Sequence, residues 1–319
     1  MDCVELCAGA GGQAAGLHAA GFAPIALVEI DKHACDTLRA NRPSWNIIQG
    51  DIAEQDVAAW RGVDLLAGGF PCPPFSKAGK QLGEADERNL FDVGLDIVDA
   101  ARPRAIMFEN VRGILDTVFD DYRGRVMKKL QGMGYSVSWR LLNASDFGVP
   151  QLRPRVVFVA MPRSIARHFN WPIPQDEQQQ TVGYALLDLM AANRWSGAAL
   201  WANRANDIAP TIVGGSKKHG GPDLGPTRAK KAWASLGVDG GGIADSAPSD
   251  GFVGMPRLTV RMVARLQGFP DAWEFCGKKT NAYRQVGNAF PPPVAQAVAS
   301  SLAAAFEAAA RARRRRTAA

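Results

Sequence analysis

Cys72 is the residue of this sequence best placed for covalent chemistry, because prolines fix it on both sides. Residues 68–76 read Gly-Gly-Phe-Pro-Cys-Pro-Pro-Phe-Ser. Proline sets its own φ and turns the preceding residue away from helix, so Cys72 is expected in a stiff, extended turn. A thiolate held there, ahead of a loop with Lys77, Gly79, Lys80 and Gly83, suits a nucleophile beneath a closing lid. On this stretch alone, a small buried thiol that merely packs fits as well. The other residues able to do chemistry are Glu109 in Glu-Asn-Val, the acids Glu29 and Asp51, and the arginines of Gln151-Leu152-Arg153-Pro154-Arg155. In isolation, two arginines in a connection read as a solvated charged turn.

What must position these groups is legible from the apolar runs. Residues 3–8 form a short strand that enters Gly9-Ala10-Gly11-Gly12, and residues 13–20 read as a helix with Gly21 at its end. Strands at 24–30, 47–52, 63–69 and 105–108 carry Glu29, Asp51, Cys72 and Glu109 at or just past their ends, with helices at 32–41 and 90–102 between them. In a parallel sheet those ends share one edge, where ligands bind. Glu29 follows Gly9 at about the distance at which an acid meets a ribose in such folds. A helix at 121–133 precedes strands at 136–142 and 156–161, whose short connection predicts an antiparallel pair. The expected class is α/β.

The regular alternation breaks near Trp171. Arg194, Arg204, Lys217, Lys218, Arg228, Lys230 and Lys231 then interleave with Trp195, Trp201 and Trp233. Such a stretch suits either a surface that follows phosphates or an irregular solvated insertion. Residues 237–251 read as a loop. Thr259 caps a helix at 261–267, residues 285–290 read as a turn, and a helix at 291–312 leads into a basic tail at 313–319. The tail reads as a solvated end rather than a reader of base sequence.

The 319 residues are 47% hydrophobic with a formal net charge of +6, which supports real cores and favours a polyanionic partner. Five cysteines and four histidines show neither disulfide nor metal-ligand spacing, so metal catalysis is not expected. No apolar run approaches about 18 residues and the first residues do not form a signal peptide, so the expectation is a reduced, soluble, cytoplasmic protein.

With these residues in place, the chain resembles the bacterial DNA (cytosine-5)-methyltransferases of restriction–modification systems. The resemblance rests on six motifs in the family's order, covering nearly the whole chain. They are Ala8-Gly9-Ala10-Gly11-Gly12, Pro71-Cys72-Pro73-Pro74-Phe75-Ser76, Glu109-Asn110-Val111 and Gln151-Leu152-Arg153-Pro154-Arg155. The last two are Arg257-Leu258-Thr259-Val260-Arg261 with Leu266-Gln267-Gly268-Phe269-Pro270, and Gln285-Val286-Gly287-Asn288-Ala289.

It implies a Rossmann-like S-adenosylmethionine-dependent methyltransferase sheet of about seven strands with an antiparallel last strand. A cofactor-binding and catalytic domain would span 1–171, a target-recognition domain 172–255, and a return to the catalytic domain 256–312. The cofactor would meet Cys7, Ala8, Gly9, Gly11 and Gly12, with its ribose on Glu29, its adenine between Ile30 and Ile52 and near Asp51, and Pro71, Leu90, Asn288 and Ala289 completing the pocket. Cys7 stands where the family usually has phenylalanine, and Asn89 where it usually has glycine, which weakens the expected adenine stacking and one cofactor contact.

The implied chemistry is attack of Cys72 on C6 of a flipped cytosine, with Glu109 at N3 and Arg155 at O2, and with Arg153 supporting the same pocket or a phosphate. Ser76, Lys77, Lys80, Arg204, Lys217, Lys218 and Arg228 are the expected DNA contacts. The expected partner is double-stranded DNA, met by a monomer associated with the nucleoid, with a cognate endonuclease acting separately and no metal or membrane. Readings that share the scaffold are a transfer-RNA cytosine-5 methyltransferase and a catalytically silent DNA-binding relative. A nicotinamide oxidoreductase is disfavoured by the absence of Gly-x-Gly-x-x-Gly.

Overall fold

The computed structural model describes residues 1–70, 90–174, 180–214 and 222–317. Its first half alternates strand and helix: β1 (Asp2–Leu6), α1 (Gly12–Ala19), β2 (Ala23–Glu29), α2 (Lys32–Asn41), β3 (Ile47–Gln49), β4 (Leu65–Gly69), α3 (Leu90–Ala101) and β5 (Ala105–Val111). Then come α4 (Asp120–Gly132), β6 (Tyr135–Asn143), β7 (Pro154–Pro162) and the short α5 (Arg163–Ala166). The seven strands form one sheet in the order β3-β2-β1-β4-β5-β7-β6. β7 runs antiparallel to both β5 and β6, and the other pairings are parallel.

The inner strands are buried on both faces, which is why they read as continuous apolar runs rather than alternating ones. One face is an aromatic layer beneath α3 and α4. Phe108 meets Phe70 at 4.8 Å between ring centroids, and Trp139 meets Phe158 at 4.6 Å, both edge to face. The other face, with Leu65, Ala67, Met107 and Val159, is covered by α1 and by the last helix, α11 (Pro292–Thr317). Gly16 permits that pairing: a Cβ there would lie 2.4 Å from the Pro292 carbonyl oxygen. The first and last helices therefore meet.

Between these come α6 (Val182–Ala191), α7 (Ala198–Arg204), α8 (Thr227–Ser235), α9 (Val260–Leu266) and α10 (Lys279–Asn288). Thr259 caps α9 as expected, accepting a hydrogen bond from the Met262 amide at 3.2 Å.

Three expectations need correction. The segment around 172–255 is not irregular throughout, since α6, α7 and α8 pack around Trp195, Trp201 and Trp233, all buried. The indole N–H groups of Trp195 and Trp201 donate to the Phe252 and Gly237 carbonyls at 2.9 and 3.1 Å, so these rings build a core rather than a nucleic-acid surface. Residues 285–288 are not a turn but the last part of α10. Ala282, Tyr283 and Val286 bury one face of it, and Gly287 is there because a Cβ would lie 2.5 Å from the Gly214 backbone. Finally, α11 does not stop at residue 312 but carries the arginines of the expected tail to Thr317 in helical form.

Candidate active site

The glycine loop lies between β1 and α1. Cys7, Gly9 and Gly11 all have positive φ (55°, 55° and 85°), a sequence of left-handed turns that folds the backbone over the sheet edge. Gly11 also has no room for a side chain: a Cβ would stand 2.6 Å from Leu38 Cδ2 and 2.9 Å from Trp273 Cζ2. Trp273 secures the loop from outside by donating from Nε1 to the Ala10 carbonyl at 3.1 Å.

Glu29 organises the same edge. Its Oε2 accepts from the Gly9 amide at 2.7 Å and its Oε1 from the Asp31 amide at 2.8 Å. Burial raises its pKa against the pull of those amides. Asp51 caps the short turn after β3, accepting from the Ala53 amide at 2.9 Å. Ile30 is 67% exposed on this edge, whereas Ile52 is buried among core residues that Cys7 and Leu90 flank. Glu5, behind the loop on β1, is fully buried with Oε2 unpartnered, and burial followed by repulsion from Glu29 holds its pKa well above the usual range.

At the next strand ends stands the second group of residues. Glu109 pairs in register with Gly69 on one side and Val157 on the other. Arg155 lies two residues before Val157 and so on the same sheet face, the diagonal position from which a long side chain reaches across. Its Nε meets Glu109 Oε1 at 2.7 Å. Glu109 is 7% exposed, and burial raises its pKa more than Arg155 and Arg153 lower it. Its other oxygen, Oε2, lies 3.5 Å from where a Cβ on Gly69 would be, and Gln13 Oε1 lies 3.6 Å from the same point. Gln13 is buried and donates from Nε2 to the Met107 carbonyl at 3.4 Å, while its Oε1 has no hydrogen-bond partner. Sequence reasoning passed over Gln13. Its signal was a polar residue in the otherwise small, apolar first turn of α1.

Arg153 points elsewhere. It is 1% exposed and donates to the carbonyls of Ile212 at 2.6 Å, Gly287 at 2.8 Å and Ala289 at 3.0 Å. Gln151 donates to Gln267 Oε1 at 2.7 Å, and Gln267 donates to the Ala289 carbonyl at 2.6 Å. From sequence, Arg153 is expected to support the same pocket as Arg155, or a phosphate; in the structure its guanidinium is a buried clamp joining three segments distant in sequence. Gln267 and Gln151 are further residues whose part was not foreseen.

Ala289 packs against the glycine loop, its Cβ 3.1 Å from where one on Gly12 would be. Asn288 is exposed beside it, with Oδ1 2.2 Å from where a Cβ on Gly214 would stand. Arg204 is exposed but donates to the Ala234 carbonyl at 3.0 Å, tying α7 to α8, and Arg228 is exposed in the first turn of α8. Pro71, Cys72, Ser76, Lys77, Lys80, Asn89, Lys217 and Lys218 lie outside the described residues. Among the described residues, no group of three or more His, Cys, Asp or Glu could hold a metal ion, and no helix is long and apolar enough to cross a membrane.

The family model of the C-5 cytosine-specific DNA methylases matches residues 1–304. The chain is 56% identical over 312 residues to the type II methyltransferase M.NaeI of Lentzea aerocolonigenes, covering 96% of this chain and 75% of that one. To the type II methyltransferase M.NgoMIV of Neisseria gonorrhoeae it is 52% identical over 307 residues, covering 95% and 97%. Among solved structures, the Dnmt2 methyltransferase of S. pombe superposes with a TM-score of 0.64 at 16% identity, covering 95% of this chain and 98% of that one. The methyltransferase EhMeth of Entamoeba histolytica gives 0.65 at 14%, covering 97% and 98%. Those two likenesses speak for the fold, and the sequence matches speak for the chemistry. The chain belongs to the C-5 cytosine-specific DNA methylase family and is a DNA cytosine-5 methyltransferase.

Proposed function

We propose that this enzyme methylates one cytosine of a specific duplex sequence as the protective arm of a restriction–modification system, with S-adenosylmethionine as methyl donor. The observation that carries the reading is the buried Glu109–Arg155 pair at the end of β5, alongside the strand that leads into Pro71-Cys72.

The cofactor fits the first group of residues. A Cβ on Gly9 would meet nothing within 4 Å, so the space over the loop is open to a ligand that approaches backbone. Glu29 would take the ribose hydroxyls, exposed Ile30 one face of the adenine, and Asp51 its amino group. The α1 N-terminus would face the carboxylate. When bound, S-adenosylmethionine supplies an electrophilic methyl group on a sulfonium.

The chain's own work is to make C5 nucleophilic. Cys72 adds to C6 of the flipped base, opening the C5–C6 double bond, and Glu109, whose pKa burial raises, donates to N3 as charge moves into the ring. Once C5 carries the methyl group, loss of the C5 proton restores the double bond and expels Cys72. Arg155 holds Glu109 and offers the rest of its guanidinium to O2. Burial pushes the thiols of Cys3, Cys7 and Cys35 up, which leaves them poor nucleophiles and favours Cys72. Unstacking the target base costs a few kcal/mol, recovered through contacts from the lid and from residues 172–255, the proposed target-recognition domain. Arg228 and the lysines at 77, 80, 217 and 218 would supply phosphate contacts.

Cys72→Ser tests the assignment. Transfer of labelled methyl groups to DNA is expected to vanish while S-adenosylmethionine affinity, measured by calorimetry, stays within a few-fold. Undiminished transfer would remove Cys72 from the mechanism.

A further inference from the structure

The arginines that end α11 stand far from the site just described. The helix begins beside the glycine loop, where Pro292 meets Gly16. It then passes Phe22, whose ring centroid is 6.4 Å from that of Phe306, and Arg104, whose guanidinium sits 4.5 Å over the Phe306 ring. Arg104 directly precedes β5, so Phe306 marks the edge where the parallel strands begin, opposite the cofactor loop and Glu109. The 26 residues of α11 span about 39 Å. Phe306 is its last buried residue, and Arg311, Arg313, Arg314, Arg315 and Arg316 are all exposed beyond it.

The charge of the molecule is concentrated there. The chain carries a formal net charge of +6, and those five arginines account for all but one unit of it. A second source lies close by. β7 runs against the parallel strands and ends at this same edge, where α5 packs on α11 and presents exposed Arg163 and Arg167. Among the described residues neither has a carboxylate partner, and of the arginines ending α11 only Arg311 has one, Glu307 at 3.3 Å. Of the acids at this edge, Asp64 and Asp99 are paired with Arg104 and Arg102, which leaves Asp2, exposed at the start of β1, as the acid nearest them. The matched family region stops at residue 304, before the arginine turns.

We propose that this edge is a second, sequence-indifferent phosphate-binding surface that grips duplex DNA outside the cleft holding the target base. The inference rests on the reading of the chain as an enzyme of duplex DNA. Arg311, Arg314 and Arg315 share one side of the helix through their three- and four-residue spacing, while Arg313 and Arg316 share the other. Like charges so spaced repel one another, and a row of phosphates relieves that repulsion while releasing counterions. A duplex seated at the catalytic edge does not extend to this edge along a straight path. The surface therefore takes a separate segment of a long molecule, which keeps the enzyme near its substrate between encounters with target sites.

The test uses two full-length variants, one carrying R311Q, R313Q, R314Q, R315Q and R316Q, the other R163Q and R167Q. Affinity for a random-sequence duplex of several hundred base pairs is measured against salt concentration. Each lost phosphate contact lowers the slope of log affinity against log salt by about 0.9, so the five-arginine variant is expected to lose about 2 to 4 units and the pair about 1 to 2. Methylation of intact, unmethylated bacterial genomic DNA is expected to fall about tenfold in kcat/KM, whereas the same DNA sheared to about two helical turns is methylated at an unchanged rate. Coincident slopes would overturn the proposal, as would equal losses on intact and sheared DNA, which would put the arginines in the catalytic cleft. Failure of the unaltered enzyme to methylate either DNA counts against the proposed function instead.

Discussion

Glu109 is asked to be neutral while an arginine touches it. A guanidinium at 2.7 Å favours the carboxylate, and near-complete removal from water favours the acid, with burial the larger influence. If the acid form donates to N3, activity is retained below the raised pKa and lost as pH rises through it. Glu109→Gln keeps the shape but has no proton to release. Single-turnover methyl transfer is expected to slow by about 10²- to 10⁴-fold, and the alkaline limb of the pH–rate profile should disappear with it. A variant that kept that limb would assign it to another group. Gln13, with an unpartnered oxygen beside the same spot, is the neighbour best placed to receive a hydrogen bond from the neutral acid.

At the scale of elements, helix packing here depends on how closely two backbones approach. Gly16 of α1 and Gly124 of α4 are both helical, yet a Cβ at the first would press on the Pro292 carbonyl at 2.4 Å and one at the second would meet nothing within 4 Å. Gly16→Val is expected to lower stability by about 1–3 kcal/mol through overpacking. Gly124→Ala should raise it by about 0.5–1 kcal/mol through helix propensity. Thermal unfolding of the two variants would show shifts of opposite sign, and shifts of the same sign would refute the distinction. The same contrast explains what could be read from sequence. Strand ends bearing Glu29, Asp51 and Glu109 were legible because buried parallel strands are continuous apolar runs punctuated by ligand-edge residues. The helices at 182–204 and 227–235 were not, because tryptophans set among basic residues resemble a nucleic-acid surface until their indoles are seen to be desolvated. α10 was hidden by Val286-Gly287-Asn288, where glycine serves close approach rather than a turn.

For the molecule as a whole, the clamp around Arg153 holds together segments far apart in sequence. One guanidinium ties β7 to the segments ending at Ile212 and Ala289, with Gln151 and Gln267 completing the buried network. Its neighbour two residues on, Arg155, instead meets Glu109. Arg153 precedes β7 and Arg155 lies within it, a difference in backbone course that the motif alone could not show. Arg153→Met would strand several buried carbonyls at a cost on the order of 3 kcal/mol. Midpoint denaturant concentration and S-adenosylmethionine affinity are expected to fall together. Loss of turnover with both unchanged would show that Arg153 acts on substrate after all.

The contact between α1 and α11 has a bearing on how the protein is born. The glycine loop and the helix that follows it leave the ribosome well before α11, the helix that packs on them. Domains assembled from contacts this distant along the chain close late. The nascent enzyme therefore holds α1 uncovered until α11 has been made, and chains released before that helix lack its support.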